Sequence, residues 1–179
     1  MSADEDKVCG DAEEERDDEV TGKIKLTGQL KLPGDAFDGY AAAEVVKIIG
    51  QVVFTSPMMA TPKCRFRITG QVVAPEGSGR MLVPAIVKMT GQMLYYPDGV
   101  KPRIVLTKET FNQAFFEAMT EKELLINLGK ACFTPDVQGQ SLKEKIHSII
   151  NLGKIECSKS LRPFVQVICR DNLGKIEAE

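Results

Sequence analysis

The hexapeptide KLTGQL occupies residues 25–30, and close variants of it return at 47–52 (KIIGQV), 67–72 (RITGQV) and 88–93 (KMTGQM). The glycines of successive copies are 22, 20 and 21 residues apart. A short motif that recurs at nearly constant spacing indicates an internal structural repeat. Each copy contains a basic residue, an apolar residue, Thr or Ile, Gly, Gln and a second apolar residue. Residues 25–93 therefore consist of one repeated structural unit.

Each copy alternates polar and apolar residues with the period of a β-strand. In the first copy, one face carries Lys25, Thr27 and Gln29, while Gly28 shares the opposite face with two leucines. Glycine inside a strand usually marks a bulge, a bend or the close approach of another backbone, and such bends curl a sheet into a small barrel. The alternative is that these glycines only relieve crowding beneath a helix. We expect a strongly bent sheet or a small barrel.

Turn signals between the copies favour antiparallel pairing. Residues 76–79 (EGSG) predict a hairpin loop, and residues 97–99 (PDG) predict a tight turn. Antiparallel pairing about the glycines would set Thr of one copy opposite Gln of the next. Parallel stacking would instead bring like charges together, and such a column would need an anion because its members repel each other. The residues of that column would be Lys25, Lys47, Arg67 and Lys88.

Residues 44–111 resemble the strand order of an OB-fold. A long strand bent at Gly50 is followed by a loop, by strands at 63–74 and 87–96, and by a turn and a strand at 103–107, after which a helical pattern begins. The resemblance implies a small antiparallel barrel of the type that single-strand-binding proteins use.

The apolar period becomes helical after residue 107. Thr120 with Glu123, and Ser141 with Glu144, form capping boxes that predict helix starts. The sequence NLGK at 127–130, 151–154 and 172–175 is typical of a helix C-cap followed by a basic residue. Residues 161–170 predict a strand. The predicted fold class is α+β: a bent antiparallel sheet or small barrel, OB-like, followed by short helices and a C-terminal strand.

Charge is distributed unevenly although the net charge is only −2. Residues 1–20 carry ten acids and two bases, a net charge of −8; residues 21–108 carry a net +7 and residues 109–179 a net −1. A segment so charged and so poor in apolar residues does not offset the entropy of ordering. We expect a disordered acidic tail (1–20), a basic β-rich core (21–108) and an α/β C-terminal region (109–179) packed on that core.

Sequence motifs of catalysis are missing from the chain. Gly-Lys pairs lack the rest of a phosphate-binding loop, and neither G-x-G-x-x-G nor G-x-S-x-G occurs. The five cysteines include no C-x-x-C pair, and His147 is the single histidine, so a zinc site is not expected. We expect a non-catalytic protein without metal or cofactor. A signal peptide and a membrane-length apolar run are also missing, which predicts an intracellular protein, cytoplasmic or nuclear, and no membrane partner.

Basic side chains beside aromatic ones on a curved sheet suit single-stranded nucleic acid, because cations follow the phosphates and rings stack on bases. We expect RNA or DNA to bind there, although lysines on strand faces also serve ordinary solvation and edge protection. The predicted nucleic-acid-binding residues are Lys25, Lys47, Arg65, Phe66, Arg67, Lys88, Tyr95, Tyr96, Lys101 and Arg103.

A structural role is the competing hypothesis. Repeated strands without an active site also suit a viral shell subunit or a subunit of a larger complex, with self-association or protein partners. An acidic arm counts against direct genome packaging, since capsid proteins that bind RNA usually carry a basic arm.

Overall fold

The computed structural model describes residues 22–179, so the predicted acidic tail at 1–20 lies outside the described residues. The repeats form one four-stranded sheet in the order β1-β2-β3-β4. Its strands are β1 (Gly22–Leu32), β2 (Glu44–Phe54), β3 (Arg65–Pro75) and β4 (Ile86–Tyr96). All three neighbouring pairs are parallel. The predicted antiparallel pairing is therefore wrong.

Like residues stack on like residues in this sheet. Gly28 is paired with Gly50, Gly50 with Gly70, and Gly70 with Gly91. The connections between these strands are ten or eleven residues long, which lets the chain return to the start of the next parallel strand. The expected hairpin loop at 76–79 is part of such a return, formed by a 3-10 helix (Glu76–Ser78), α1 (Gly79–Leu82) and a second 3-10 helix (Val83–Ala85).

Each long strand bends at its central glycine. The φ angles of Gly28, Gly50, Gly70 and Gly91 lie between +104° and +136°, a region that side-chain-bearing residues rarely adopt. The bend wraps the strand around an apolar interior that includes Val46, Ile48 and Phe66. Among the described residues no sheet closes into a barrel, and every sheet is parallel, so the predicted bent antiparallel sheet or small barrel is wrong. The OB-like arrangement is therefore also wrong.

The remaining strands form two further parallel sheets, in the orders β11-β9-β7-β5 and β12-β10-β8-β6. Odd-numbered strands are β5 (Pro102–Val105), β7 (Glu123–Asn127), β9 (Ile146–Asn151) and β11 (Cys169–Asn172). Even-numbered strands are β6 (Lys108–Phe111), β8 (Lys130–Phe133), β10 (Lys154–Cys157) and β12 (Lys175–Ala178). The helices α2 (Gln113–Ala118), α3 (Gly139–Lys145) and α4 (Arg162–Ile168) each lead from one coil of the chain to the next. The chain thus forms two stacks of parallel coils, a first stack (22–96) and a second stack (102–178). We call each coil one level of its stack.

Several local predictions in the second stack are wrong. Residues 123–127 form β7 where a short helix was expected, and residues 162–168 form α4 where a strand was expected. The NLGK segments are corners between two strands rather than helix ends. Their asparagines stack: Nδ2 of Asn127 donates to Oδ1 of Asn151 at 2.8 Å, and Nδ2 of Asn151 donates to Oδ1 of Asn172 at 2.8 Å. These hydrogen bonds, which we call the asparagine ladder, join successive corners and stabilise their stacking in register. A helix C-cap, by contrast, would form hydrogen bonds only within its own helix.

The two stacks share a buried apolar interface. Val53 and Val73 of the first sheet lie in one cluster with Leu124, Ile126 and Ile150. Hydrogen bonds set the level of one stack against the other: Nε2 of Gln29 donates to the Leu128 carbonyl at 2.8 Å, and Nε2 of Gln51 donates to the Leu152 carbonyl at 3.4 Å. The coil of β1 thus lies beside the coil of β7 and β8, and the coil of β2 beside that of β9 and β10.

Candidate functional site

The most distinctive surface feature is a column of four basic side chains on the first sheet, which we call the basic column. Lys25 is paired in register with Lys47, Lys47 with Arg67, and Arg67 with Lys88. All four are exposed. Because neighbouring strands lie about 4.8 Å apart, the column is a straight line of charge about 14 Å long. It lies on the half of each strand that precedes the glycine bend, while the half that follows packs on the second stack.

A second column of lysines shows how the chain neutralises like charges elsewhere. Lys108, Lys130, Lys154 and Lys175 are also stacked in register. Oε1 of Glu156 lies 2.7 Å from both Lys130 Nζ and Lys154 Nζ, and Glu177 lies 2.8 Å from Lys154. In the basic column, by contrast, Lys25, Lys47 and Lys88 make no ion pair with any carboxylate of residues 22–179.

The carboxylate between the lysines of the second column is strongly perturbed. Hydrogen bonds from Lys130 and Lys154 lower the pKa of Glu156 from 4.5 to about 2. The same contacts, together with Glu177, raise the pKa of Lys154. Both shifts favour the charged forms, so Lys130 and Lys154, at the two middle positions of this column, are neutralised by internal ion pairs.

We expect the Glu156→Gln variant to be less stable than the unchanged protein above about pH 4.5, and the difference to close as pH falls towards 2. A carboxyl whose pKa is lowered by folding contributes stability above its unfolded pKa, and that contribution is lost as pH falls through its folded pKa of about 2. The difference in Tm between the two proteins, measured across this pH range, tests the expectation. Glu121→Gln is the control, because Glu121 is exposed and forms no ion pair within residues 22–179. A Tm difference for Glu156→Gln that does not change with pH would contradict it.

The aromatic residues proposed for base stacking are mostly inside the protein. Phe66 is 0% exposed and Tyr96 is 2% exposed. The hydroxyl of Tyr96 donates to the Phe54 carbonyl at 2.7 Å, and burial raises the pKa of Tyr96 to about 12. Tyr95 is half-buried against Gly79, and burial raises its pKa as well. None of the three rings lies on the open surface beside the basic column.

The remaining predicted basic residues fall into two groups. Arg65 is exposed and precedes Arg67 by two positions on the same strand face, so it extends the basic surface by one position. Arg103 belongs to the second stack, where Nε lies 2.5 Å from Glu123 and the guanidinium lies 4.9 Å from the centre of the Phe115 ring. Hydrogen bonding to Glu123 raises the pKa of Arg103. Lys101 is exposed beside it, and neither residue stacks in the basic column.

The repeat also places hydroxyl groups beside the charges. Thr27 and Ile49 are paired in register, as are Ile49 and Thr69, and Thr69 and Thr90. The three threonines are exposed. Sequence reasoning left them out of the predicted site, although the repeat itself marks them. The glutamine column is used differently, since Gln29 donates to Oε1 of Gln51 at 3.0 Å and to the second stack.

Sites of other chemistries are not evident in the part of the chain that the structure describes. Residues 22–179 hold no group of three or more His, Cys, Asp or Glu side chains that could bind a metal ion. Burial raises the pKa of the Cys157 thiol and raises that of Cys169 to about 11, which disfavours the nucleophilic thiolate. No helix among these residues has the length and apolar character needed to cross a bilayer.

Comparison of the chain with protein-family models, with curated proteins and with solved structures found no match.

Proposed function

We propose that the first stack binds single-stranded nucleic acid along the basic column, without catalysis. The observation that carries this proposal is the in-register stacking of Lys25, Lys47, Arg67 and Lys88. A polyanion is the ligand that such a line of charge fits, because one molecule neutralises several members at once.

The energetics favour an external polyanion at this column. Two like charges at the usual strand spacing of about 4.8 Å would repel by about 0.9 kcal/mol even in bulk water, and by more near a protein surface. In the second column this repulsion is offset by Glu156 and Glu177. A nucleic acid strand would offset it in the first column, and release of its counterions would add a favourable, salt-dependent contribution.

The chemistry around the column favours binding that does not depend on base sequence. Thr27, Thr69 and Thr90 place hydroxyl groups within reach of phosphate oxygens that contact the column. Since Phe66 and Tyr96 are buried, stacking on those rings contributes nothing to this mode. Phosphate contacts position a strand but carry no sequence information, so we expect similar affinity for different single strands.

Salt-titrated binding of labelled polythymidine and polyuridine to the full chain tests the proposal. If Lys25, Lys47 and Lys88 each neutralise one phosphate, the logarithm of the association constant falls against the logarithm of salt concentration with a slope of about −2. Affinity that does not change with salt would contradict the proposal. So would binding of inorganic polyphosphate or heparin under conditions where neither oligonucleotide binds, because the polyanion would then belong to another class.

We expect the Lys47→Gln variant to weaken oligonucleotide binding and to reduce the salt slope by about 0.7, because one phosphate contact is removed. Lys47 is exposed at an interior level of the column, so the substitution leaves the buried interior unchanged. Lys159→Gln is the matched control, since Lys159 is an exposed lysine between β10 and α4 of the second stack. Equal effects of the two substitutions would show that binding follows net charge and not the column.

A further inference from the structure

The first stack ends in an unpaired strand edge on each side. β2 and β3 have partners on both edges, whereas the outer edges of β1 and β4 pair with no strand of residues 22–179. Such edges present free backbone N–H and C=O groups that another strand can join. Within the described part of the chain, both ends of the first stack are therefore open to strand addition.

The apolar interior is also open at both ends. Inward side chains at the middle levels, such as Ile48, Val52 and Val72, are no more than 1% exposed. Their counterparts on β1 and β4 are only partly buried: Ile24, Leu26, Leu30 and Leu32 at one end, and Ile86, Met89 and Met93 at the other. Covering these ends would bury apolar surface that a single copy leaves in contact with water.

The two edges match each other in register. Continuing the pattern of the sheet by one level sets β1 of a second copy on β4 of the first, with Met89 against Leu26, Gly91 against Gly28 and Met93 against Leu30. These are the pairings of like residues that already hold β1 to β2 and β2 to β3. A second copy of this chain is thus the partner whose residues fit the edge.

The two stacks are offset by one level, and this offset makes the ends complementary. β1 lies level with β7, so β5 and β6 extend one level beyond β1. At the opposite end Glu76, which follows β3, lies 3.9 Å from Arg170 of β11, so β4 extends one level beyond β11 and β12. A projecting step at each end therefore faces a recess of the same height on the next copy.

We propose that the chain assembles head to tail, with β4 of one copy pairing in parallel with β1 of the next. The interface is heterologous, because the two partners use different surfaces, and repeated translation along the stack does not close. The product is an open filament in which the interior and the basic column run on from copy to copy. The contact is confined to the first stack. Thr107 occupies the corner position that is glycine at 129, 153 and 174, and its side chain keeps the second-stack coils of the two copies from packing as closely as coils within one copy.

Glycine substitutions provide the test. A Cβ on Gly91 would lie 1.7 Å from the Gly70 carbonyl oxygen, whereas a Cβ on Gly28 would have no atom of residues 22–179 of its own copy within 4 Å. In the filament it would meet the Gly91 carbonyl of the next copy, so we expect Gly28→Ala to abolish assembly. Gly99→Ala is the matched control, because Gly99 also has a positive φ and open space but lies in a turn.

Sedimentation velocity of the full chain over a concentration series, with electron microscopy, gives the readout. Working at high salt and without nucleic acid screens the repulsion between Lys25 and Lys88 across the junction and keeps the result separate from the nucleic-acid proposal. We expect open-ended growth and filaments for the unchanged chain and for Gly99→Ala. A strict monomer at all concentrations, a closed dimer, or assembly by Gly28→Ala equal to that of Gly99→Ala would overturn the proposal.

A complementation experiment tests the polarity of the interface. Gly28→Ala blocks only the β1 end, and Met93→Glu, which places a charge on the half-buried apolar surface of β4, blocks only the other. Each variant alone is expected to remain monomeric, and a mixture is expected to form a one-to-one complex through the two intact ends. Thermal unfolding of each variant establishes that it is folded, and a folded pair that forms no mixed complex would overturn the head-to-tail arrangement.

Discussion

Gly70→Ala is expected to prevent stable folding of the first stack. Gly70 has a φ of +134°, and a Cβ at this position would lie 1.8 Å from the carbonyl oxygen of Gly50 and 2.8 Å from its carbonyl carbon. Both atoms belong to the backbone of a central strand, so neither can move without breaking the ladder between β2 and β3. We expect a loss of more than about 4 kcal/mol in the free energy of unfolding, a large share of the roughly 5–15 kcal/mol of a typical domain.

The Gly28→Ala variant separates the two causes of this loss in stability, which are the strain of a positive φ and the contact between coils. Gly28 has a comparable φ of +104°, but no atom of residues 22–179 lies within 4 Å of its added Cβ. Its substitution therefore costs only the backbone strain, about 1–3 kcal/mol. Urea unfolding of both variants, monitored by circular dichroism at concentrations where the chain is monomeric, measures the two losses. Equal losses would mean that φ alone requires glycine and that the contact between coils adds nothing.

The repeat in residues 25–93 could be recognised from sequence, but the direction of its strands could not. Pro97-Asp98-Gly99 and the EGSG segment at 76–79 have the composition of hairpin turns, and turn composition describes only the local backbone. The position of the next strand depends on the whole connection. Between β3 and β4 that connection contains α1 and two 3-10 helices, and so it leads the chain back for a parallel pairing.

The secondary structure of the second stack was predicted wrongly because the residues that determine it make contacts far apart in the sequence. Each NLGK segment, taken alone, resembles a helix end, since Gly and Lys are common there. Its asparagine side chain, however, bonds to the asparagine of the neighbouring coil, 24 residues away for Asn127 and Asn151. A spacing close to that of the glycine repeat was the available clue that 127–175 follows the same stacking principle as 25–93.

Part of the geometry of the candidate site could be inferred from sequence. The basic column follows from the repeat once the strands are parallel, because equal positions then fall in register. The alternation that exposes Arg67 also turns Phe66 inward, so its burial could have been inferred from sequence. Burial of Tyr96 could not, because it depends on packing against the second stack, which no local pattern reveals.

Asn151→Val is expected to destabilise the second stack by about 3–5 kcal/mol. Asn151 is 0% exposed; its Oδ1 accepts from Asn127, and its Nδ2 donates to Oδ1 of Asn172 and, at 3.2 Å, to the Lys175 carbonyl. Valine is apolar and branches at Cβ, and it makes none of these bonds. Each lost hydrogen bond costs about 1 kcal/mol, and a buried group left without its partner costs about 1–3 kcal/mol. The loss therefore exceeds that of a single bond.

Asn172→Val is the matched control because it cuts the same ladder at its exposed end. There Asn151 loses one acceptor but keeps the Lys175 carbonyl, and position 172 is open to water, so we expect a loss of only about 1 kcal/mol. Chemical unfolding of both variants measures the difference. If the asparagine ladder stabilises the corners, the loss in the free energy of unfolding is several times larger for Asn151→Val, at the centre of the ladder, than for Asn172→Val, at its end. Similar small losses at both positions would instead show that the apolar interior of the coils suffices to hold the corners in register.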